Sequence, residues 1–494
     1  MELTLWLIPI TLLFLHFLST FTKKKLKILP PGPTPLPIVG NLFSMVDLPH
    51  IIFAKLAKTY GPVISLKMGA NTFIVLSSPD LAREAFQTKD KSLSERWCPD
   101  FVHAYGHKEI SMMFLSSSNP LWKQLRAVGA TYLFSPRSLD LSRAVREAKA
   151  RELVGYFRDH AGEPLRVNYA VFSSMINVVS GVLFSENMVD LNSDVQEFRD
   201  VLVASIVDPA KPNISYLFPF LRPLDLNGAR RYGEKLFDRY YGFFNDIINR
   251  RLNGVTVHDE KHKDFLDSLL ELHAENKIDL KVIRAYFMDI FGAGAHTSSV
   301  VLEWAMAELL HNPDKMSKVI SELRENIGSK QVEETDITKL PYLQAVVKET
   351  MRKHPVAPLL LPHIVSEKGV ELGGYAIPKG AQVMVNVYAI GRDPTVWSEP
   401  EIFRPERFLE SKLDFRGHDF ELIPFGSGRR TCAGLPLVTR MLPLFLATLL
   451  QAFEWRLPDG MKASDMDMSE KFEGAVALAS PLTAIPVPIS GLEY

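Results

Sequence analysis

Close to the C-terminal end of this 494-residue chain, Phe425-Gly426-Ser427-Gly428-Arg429-Arg430-Thr431-Cys432-Ala433-Gly434 sets one thiol among three glycines and two cations. Glycine lets a backbone take positive φ and approach another group closely, and neighbouring positive charge favours ionisation of a thiol. A thiolate in a turn of backbone N–H groups is a soft metal ligand, because the amides hydrogen-bond the sulfur and tune its electron donation. A glycine-rich loop before a helix can instead bind an anion. Phosphate loops, however, carry Lys and Ser/Thr after the last glycine, and here Leu435-Pro436 follows.

Other groups able to do chemistry stand farther up the chain. Gly292 and Gly294 interrupt a long apolar helical pattern, although an interior glycine costs about 1 kcal/mol relative to alanine. Something is therefore expected to approach the backbone at Ala293-Gly294-Ala295-His296-Thr297. Trp122 and Arg126 fall at i and i+4, so both could reach one carboxylate from a single helix face; a buried Trp packing with an exposed Arg is the plainer reading. Glu349 and Arg352 at i and i+3 would ordinarily be a surface ion pair worth a few tenths of a kcal/mol. His363 follows Leu360-Leu361-Pro362, and Arg407 lies in Pro405-Glu406-Arg407-Phe408.

Phe425, Gly428, Arg430, Cys432 and Gly434 fit the pattern Phe-x-x-Gly-x-Arg-x-Cys-x-Gly, and with the segments above the chain resembles the haem-thiolate monooxygenases, the cytochrome P450 family. That ten-residue pattern is highly specific, and the likeness runs through the body from Pro30 onward. The resemblance implies haem b, iron protoporphyrin IX, with Cys432 as its axial iron ligand in a loop that includes Phe425. It implies Arg430 facing a haem propionate, Trp122 and Arg126 contacting a propionate, and His363 near one. Glu349, Arg352 and Arg407 resemble a structural triad that supports the haem loop from behind, scaffold rather than chemistry. Ala293, Gly294 and Thr297 resemble the stretch over the distal face of the haem, with the Thr297 hydroxyl serving dioxygen. His296 departs from the pattern, because the family usually has a carboxylate there. An imidazole of ordinary pKa, ~6.5, is mostly neutral at pH 7. Either the imidazole takes over proton delivery or it is a packing residue.

The same resemblance implies electrons from NADPH, delivered indirectly through a membrane-bound NADPH-cytochrome P450 reductase, with O2 and a hydrophobic small molecule as substrates. Within the family the chain most resembles plant microsomal members, in particular oxidases of benzylisoquinoline and tropane alkaloids, littorine mutase among them, with terpene hydroxylases nearby. The expected activity is hydroxylation of a plant specialised metabolite, an alkaloid or a terpenoid; a rearranged or coupled product and a non-catalytic haem-binding protein are the alternatives. Family position puts the pocket walls at 96–113, 206–220, 291–296, 356–361 and 472–476. A cysteine-nucleophile hydrolase would need a histidine and an orienting group beside Cys432, and no such signature is visible.

The elements that must position these groups are mostly helical. Apolar spacing near 3.6 predicts helices over 139–157, 229–252, 265–274, 280–310 and 314–327. Short strands are expected at 63–68 and 72–76, joined by a turn at Gly69-Ala70-Asn71, and again at 382–389 and 475–487, where prolines argue for edge or hairpin segments. The fold class is thus mainly α with small β-sheets, and the resemblance makes it a cytochrome P450 fold: one large domain, 38–494, behind an N-terminal transmembrane helix.

That helix is expected at the start of the chain. Leu3 to Phe21 is almost uninterruptedly apolar and as a helix would be roughly 28 Å long, enough to span a bilayer. Lys23, Lys24, Lys25 and Lys27 follow it and Glu2 precedes it, which places the body in the cytosol. A cleaved signal peptide would carry its charge before the apolar run and a small-residue cleavage site after it. Residues 1–22 therefore read as a membrane anchor on the endoplasmic reticulum and 23–37 as a basic, Pro-rich linker. In a cytosolic body the sequon Asn213-Ile214-Ser215 is a chance match. Lys+Arg 56 against Asp+Glu 57, with no basic patch carrying interleaved aromatics, gives no field for nucleic acid. Cys98 and Cys432 are too few for a secreted disulfide framework.

Overall fold

The computed structural model describes residues 29–45, 48–192, 200–202, 204, 214–255, 263–472 and 474–492. The apolar segment 3–21, the lysines after it, Asn213 and the wall segment 206–213 lie outside them. A helix from Leu280 to His311, 32 residues and about 48 Å long, forms the axis of the molecule. Its interior is apolar enough to be buried nearly all round. Val167–Phe184 packs along it, with Phe184 stacked on Phe291 at 5.8 Å between ring centroids. This second helix escapes a reading by periodicity because it is buried on every side, so no polar stripe marks its rotation. Leu435–Ala452, Pro341–Lys353 and Arg143–Asp159 complete the helical core around the axis.

The main sheet lies beside this core. Val63–Met68 pairs with Asn71–Leu76 in a hairpin, Asn71–Leu76 runs parallel to Gln382–Val385, and His363–Ile364 and Glu95–Arg96 follow on the far side. In that last pairing Arg96 stands directly opposite His363.

The described body is mainly α with small sheets, and forms one domain, in agreement with the sequence pattern. Differences fall at element ends. The span 139–157 is two helices, Pro136–Leu141 and Arg143–Asp159, divided at Ser142, which ends the first and precedes the second. The strand at 382 stops at Val385, because the Asn386 side chain accepts from Ala389 N–H and starts the short helix Val387–Ile390. The C-terminal prolines sit in a strand, Thr483–Pro488, that has neighbours on both sides; Pro486 and Pro488 fall in the half that pairs only with Phe453–Arg456, so no ladder bond is lost. Pro30 and Pro31 are docked rather than free: their carbonyls accept from Ser65 Oγ at 2.6 Å and Ser65 N–H at 2.9 Å.

Candidate active site

The cysteine loop owes its path to glycine. Gly426 and Gly428 both take φ of +70°, and a Cβ on Gly428 would meet the Phe86 carbonyl oxygen at 2.6 Å. Cys432 N–H donates to Phe425 O at 3.0 Å, closing the turn. Gly434 then caps the helix Leu435–Ala452, so the sulfur faces the positive end of that helix and receives the N–H groups of Gly434 and Leu435. Burial among protein atoms pushes the thiol's pKa up; the two amides and the Arg126 guanidinium oppose that shift. The residue nonetheless keeps solvent-accessible surface. The two sequence-adjacent cations do not serve the sulfur. Arg429 pairs with Asp90, and Arg430 turns to the carbonyls of Ser94, at 2.9 Å, and Leu115. Helical spacing brings the effective charge from Arg126 instead.

Around that loop, guanidiniums outnumber carboxylates. Arg126 donates to Thr431 O at 3.2 Å, Arg430 lies over the Trp122 ring at 4.8 Å, and Arg126 lies 5.9 Å from the same ring. Arg96, brought in by its strand, donates to Leu361 O at 2.5 Å. Burial, then the charge of Arg430, lowers Arg96 to about 9; burial and the charges of Arg126 and Arg429 take Arg430 to about 10, against the pull of Glu95. Burial likewise lowers Arg126. Among the described residues no carboxylate forms an ion pair with Arg96, Arg126 or Arg430. His363, across the strand from Arg96, donates Nδ1–H to Leu93 O and is held neutral by burial and by Arg96, its pKa well below the usual imidazole value.

The long helix contributes a second open surface. Ala293 is exposed although the helix around it is buried, and Thr297, one turn on, is half-buried on the same face. The Thr297 hydroxyl donates to Ala293 O at 2.6 Å, leaving its lone pairs free to accept. Gly294 lies on a neighbouring face, where an added Cβ would meet Val179 Cγ2 at 3.4 Å, so the close approach there is helix Val167–Phe184. His296 does not join Thr297. It is 2% exposed and turns toward Phe172, with ring centroids 6.1 Å apart.

The family model described as cytochrome P450 matches residues 30–485. The chain is 50% identical over 465 residues to "Cytochrome P450 76M5" of Oryza sativa subsp. japonica, covering 94% of this chain and 92% of that protein. It is 48% identical to "Ent-cassadiene C11-alpha-hydroxylase 1" of the same organism, across 98% and 99% of the two chains. It is 44% identical to "Geraniol 8-hydroxylase" of Catharanthus roseus, across 97% and 98%. The chain belongs to the cytochrome P450 family. It is a haem-dependent monooxygenase, an oxidoreductase.

The residues present fit a haem. A haem would take a thiolate ligand and cations for its propionates; the chain offers an accessible sulfur fed by backbone amides and three guanidiniums with which no described carboxylate forms an ion pair. Self-repulsion among buried cations is costly unless an anion is supplied from outside.

A second arginine group lies at the end of the helix Pro341–Lys353. Glu349 accepts from Arg352 at 2.7 and 2.8 Å and from Arg407 Nε at 3.1 Å, and also takes Arg404 N–H at 2.8 Å. All three side chains are buried, not the surface ion pair that Glu349 and Arg352 alone would suggest. Two contributors lack a sequence signal of their own. Arg96 belongs to a two-residue strand whose pairing is set far along the chain. Asp289, four residues before Ala293, accepts from Ser111 Oγ at 2.8 Å and Met113 N–H at 3.3 Å, and so fixes the loop whose Leu115 carbonyl holds Arg430. An acid among apolar residues, one turn before Ala293, is the signal that could have found it.

Proposed function

We propose that this P450 hydroxylates a hydrophobic isoprenoid, with Cys432 as iron ligand, Arg96, Trp122, Arg126, His363 and Arg430 as the propionate pocket, and the Ala293 and Thr297 face as the distal wall. The observation that carries the site assignment is the cluster of Arg96, Arg126 and Arg430, none in an ion pair with a described carboxylate, beside an accessible thiol. The substrate class is drawn from the relatives: geraniol and ent-cassadiene are both isoprenoids. Terpenoid is therefore preferred to alkaloid, and plain hydroxylation to rearrangement.

Haem bound through Cys432 supplies activation of O2 at a thiolate-ligated iron. The chain does the rest. Amides of Gly434 and Leu435 moderate the electron donation of the sulfur. The small Ala293 side chain leaves room on the distal wall, and the Thr297 oxygen can accept a proton or hydrogen-bonded water and pass it on. Apolar wall segments exclude water and set which carbon is presented. Two of them are joined where Val476 N–H donates to Val356 O at 2.9 Å.

The reading extends to location and partners. Residues 1–22 anchor the protein in the endoplasmic reticulum membrane, 23–37 link the anchor to the cytosolic body, and NADPH-cytochrome P450 reductase supplies electrons. Apolar surface supports a second membrane contact: Leu36, Ile38, Phe43, Phe220, Leu224 and Leu226 are all exposed. One turn joins these two stretches, since Gly69 N–H donates to Val39 O at 3.2 Å and Ala70 N–H to Leu217 O at 2.8 Å. The deciding experiment reconstitutes the full chain with reductase, NADPH and a panel of acyclic and polycyclic isoprenoids, alkaloids included for contrast. A hydroxylated isoprenoid is expected; turnover confined to alkaloids, or a rearranged skeleton as main product, overturns the substrate reading.

A further inference from the structure

The helix that carries Trp122 and Arg126 is lightly seated. Of the 13 residues of Pro120–Tyr132, only Trp122, Leu125, Val128 and Gly129 are buried. Trp122 lies under Arg430, which leaves Leu125, Val128 and Gly129 to hold the helix in place. Apolar contact is non-directional, so a strip this narrow fixes the distance of a helix better than its rotation. Yet rotation decides whether Arg126 reaches Thr431 O and the sulfur.

Directional control comes from a hydroxyl on the long helix. Tyr286 donates its O–H to Leu125 O at 3.0 Å, and both residues are buried. Leu125 immediately precedes Arg126. In an α-helix its carbonyl already accepts Gly129 N–H, so the phenol occupies the second lone pair. Gly129 is what admits the phenol: a Cβ there would stand 2.3 Å from the Tyr286 oxygen. Glycine is otherwise among the least favourable residues inside a helix, and this close approach accounts for it. The Tyr286 ring is held in turn by Phe265 of the helix Phe265–Ala274, edge to face with centroids 5.8 Å apart. Burial raises the phenol's pKa, against the opposing charge of Arg126, so the group stays a neutral donor. Tyr286 stands seven residues before Ala293, on the same face of the long helix and about 10 Å along it.

We infer that Tyr286, acting through the Leu125 carbonyl and the space left by Gly129, is a positioning residue for the propionate pocket: it sets the rotation of Pro120–Tyr132 at which Arg126 faces the haem site. This rests on the propionate reading above. One face of the long helix then carries two references, Ala293 for the distal wall and Tyr286 for the cations, and both sides of the site take their alignment from a single rigid element. Because Leu125 O keeps its helical partner, removing the hydroxyl leaves no carbonyl unsatisfied. The loss falls on the aim of Arg126 rather than on the helix itself.

The test follows transfer of haem from the full-length, haem-loaded enzyme to an acceptor globin. Tyr286→Phe is expected to speed haem loss roughly 3- to 10-fold, the worth of one neutral hydrogen bond. In an Arg126→Gln background the same change is expected to add nothing, because the group it aims is gone. An unchanged rate in Tyr286→Phe overturns the inference, as does an acceleration that persists undiminished without Arg126, which is what a purely structural role would give. Gly129→Ala supplies a second variant. Alone, its methyl group collides with the hydroxyl and should speed haem loss; combined with Tyr286→Phe it should add no further loss, and a further loss there overturns the pairing of glycine with phenol. If Arg126→Gln by itself leaves haem loss unchanged, the propionate reading has failed and takes the inference with it. If Arg126→Gln speeds the loss and Tyr286→Phe does not, the propionate reading stands and only the inference has failed.

Discussion

Arg352 and Arg407 converge on Glu349, whereas Arg96, Arg126 and Arg430 converge on no described carboxylate of the chain. Both groups are buried, and the second lies beside the cysteine loop, where Arg126 donates to Thr431 O. The first shares one carboxylate within the protein and is further held by backbone carbonyls, with the Trp397 ring 5.5 Å from Arg352. The second is held apart by carbonyls and by Trp122; burial lowers the pKa of all three, and neighbouring guanidiniums lower Arg96 and Arg430 further. Cations that share a buried carboxylate mark scaffold, and cations gathered without an ion-pair partner mark a place kept for an anionic ligand. The two cases would be indistinguishable from a count of arginines.

That contrast can be broken most directly at the sulfur. Cys432→Ser should abolish the thiolate band of the reduced, CO-bound protein and all monooxygenase activity; retention of either would mean that the cations serve something other than a thiolate haem. Glu349→Gln strips the balanced group of its anion and leaves two guanidiniums buried, a loss of about 3–5 kcal/mol. It should lower the thermal midpoint markedly and reduce haem content with it, and a variant as stable as wild type would show that the triad is not closed as described. In the unbalanced group, Arg96→Gln and Arg126→Gln should leave the apo-protein's stability nearly unchanged or raised, because each removes repulsion, yet speed haem loss roughly 10- to 100-fold, the worth of one charge-assisted hydrogen bond. Transfer of haem to an acceptor globin measures this, and equal loss rates would count against a propionate site. The smallest effect is expected at Cys98. Its thiol is 9% exposed, and burial pushes it to about 12, so Cys98→Ser should leave spectrum, haem retention and activity within error of wild type.

The acid missing from position 296 fits the same logic of faces. Ala293 and Thr297 open onto one side of the helix, while His296 and Glu303 are shut against the other, 100° or so of helical rotation away.

The fold class, the thiol loop and the Glu349–Arg352 pair were legible in sequence because each is encoded locally, by helical period, by glycine placement or by i, i+3 spacing. Trp122 and Arg126 could be paired by the same rule. The chain alone also raised the expectation of a close neighbour at the glycines of the long helix, but not which: an added Cβ on Gly294 would meet Val179, a residue more than a hundred positions away in sequence. The burial of the triad, the role of Arg126 rather than Arg429 beside the sulfur, and the arrival of Arg96 through a strand paired with His363 depend on contacts distant in sequence. Those were decided by tertiary packing, because which side of a helix or strand is open and which charges lack a partner are properties of neighbours that no local pattern records.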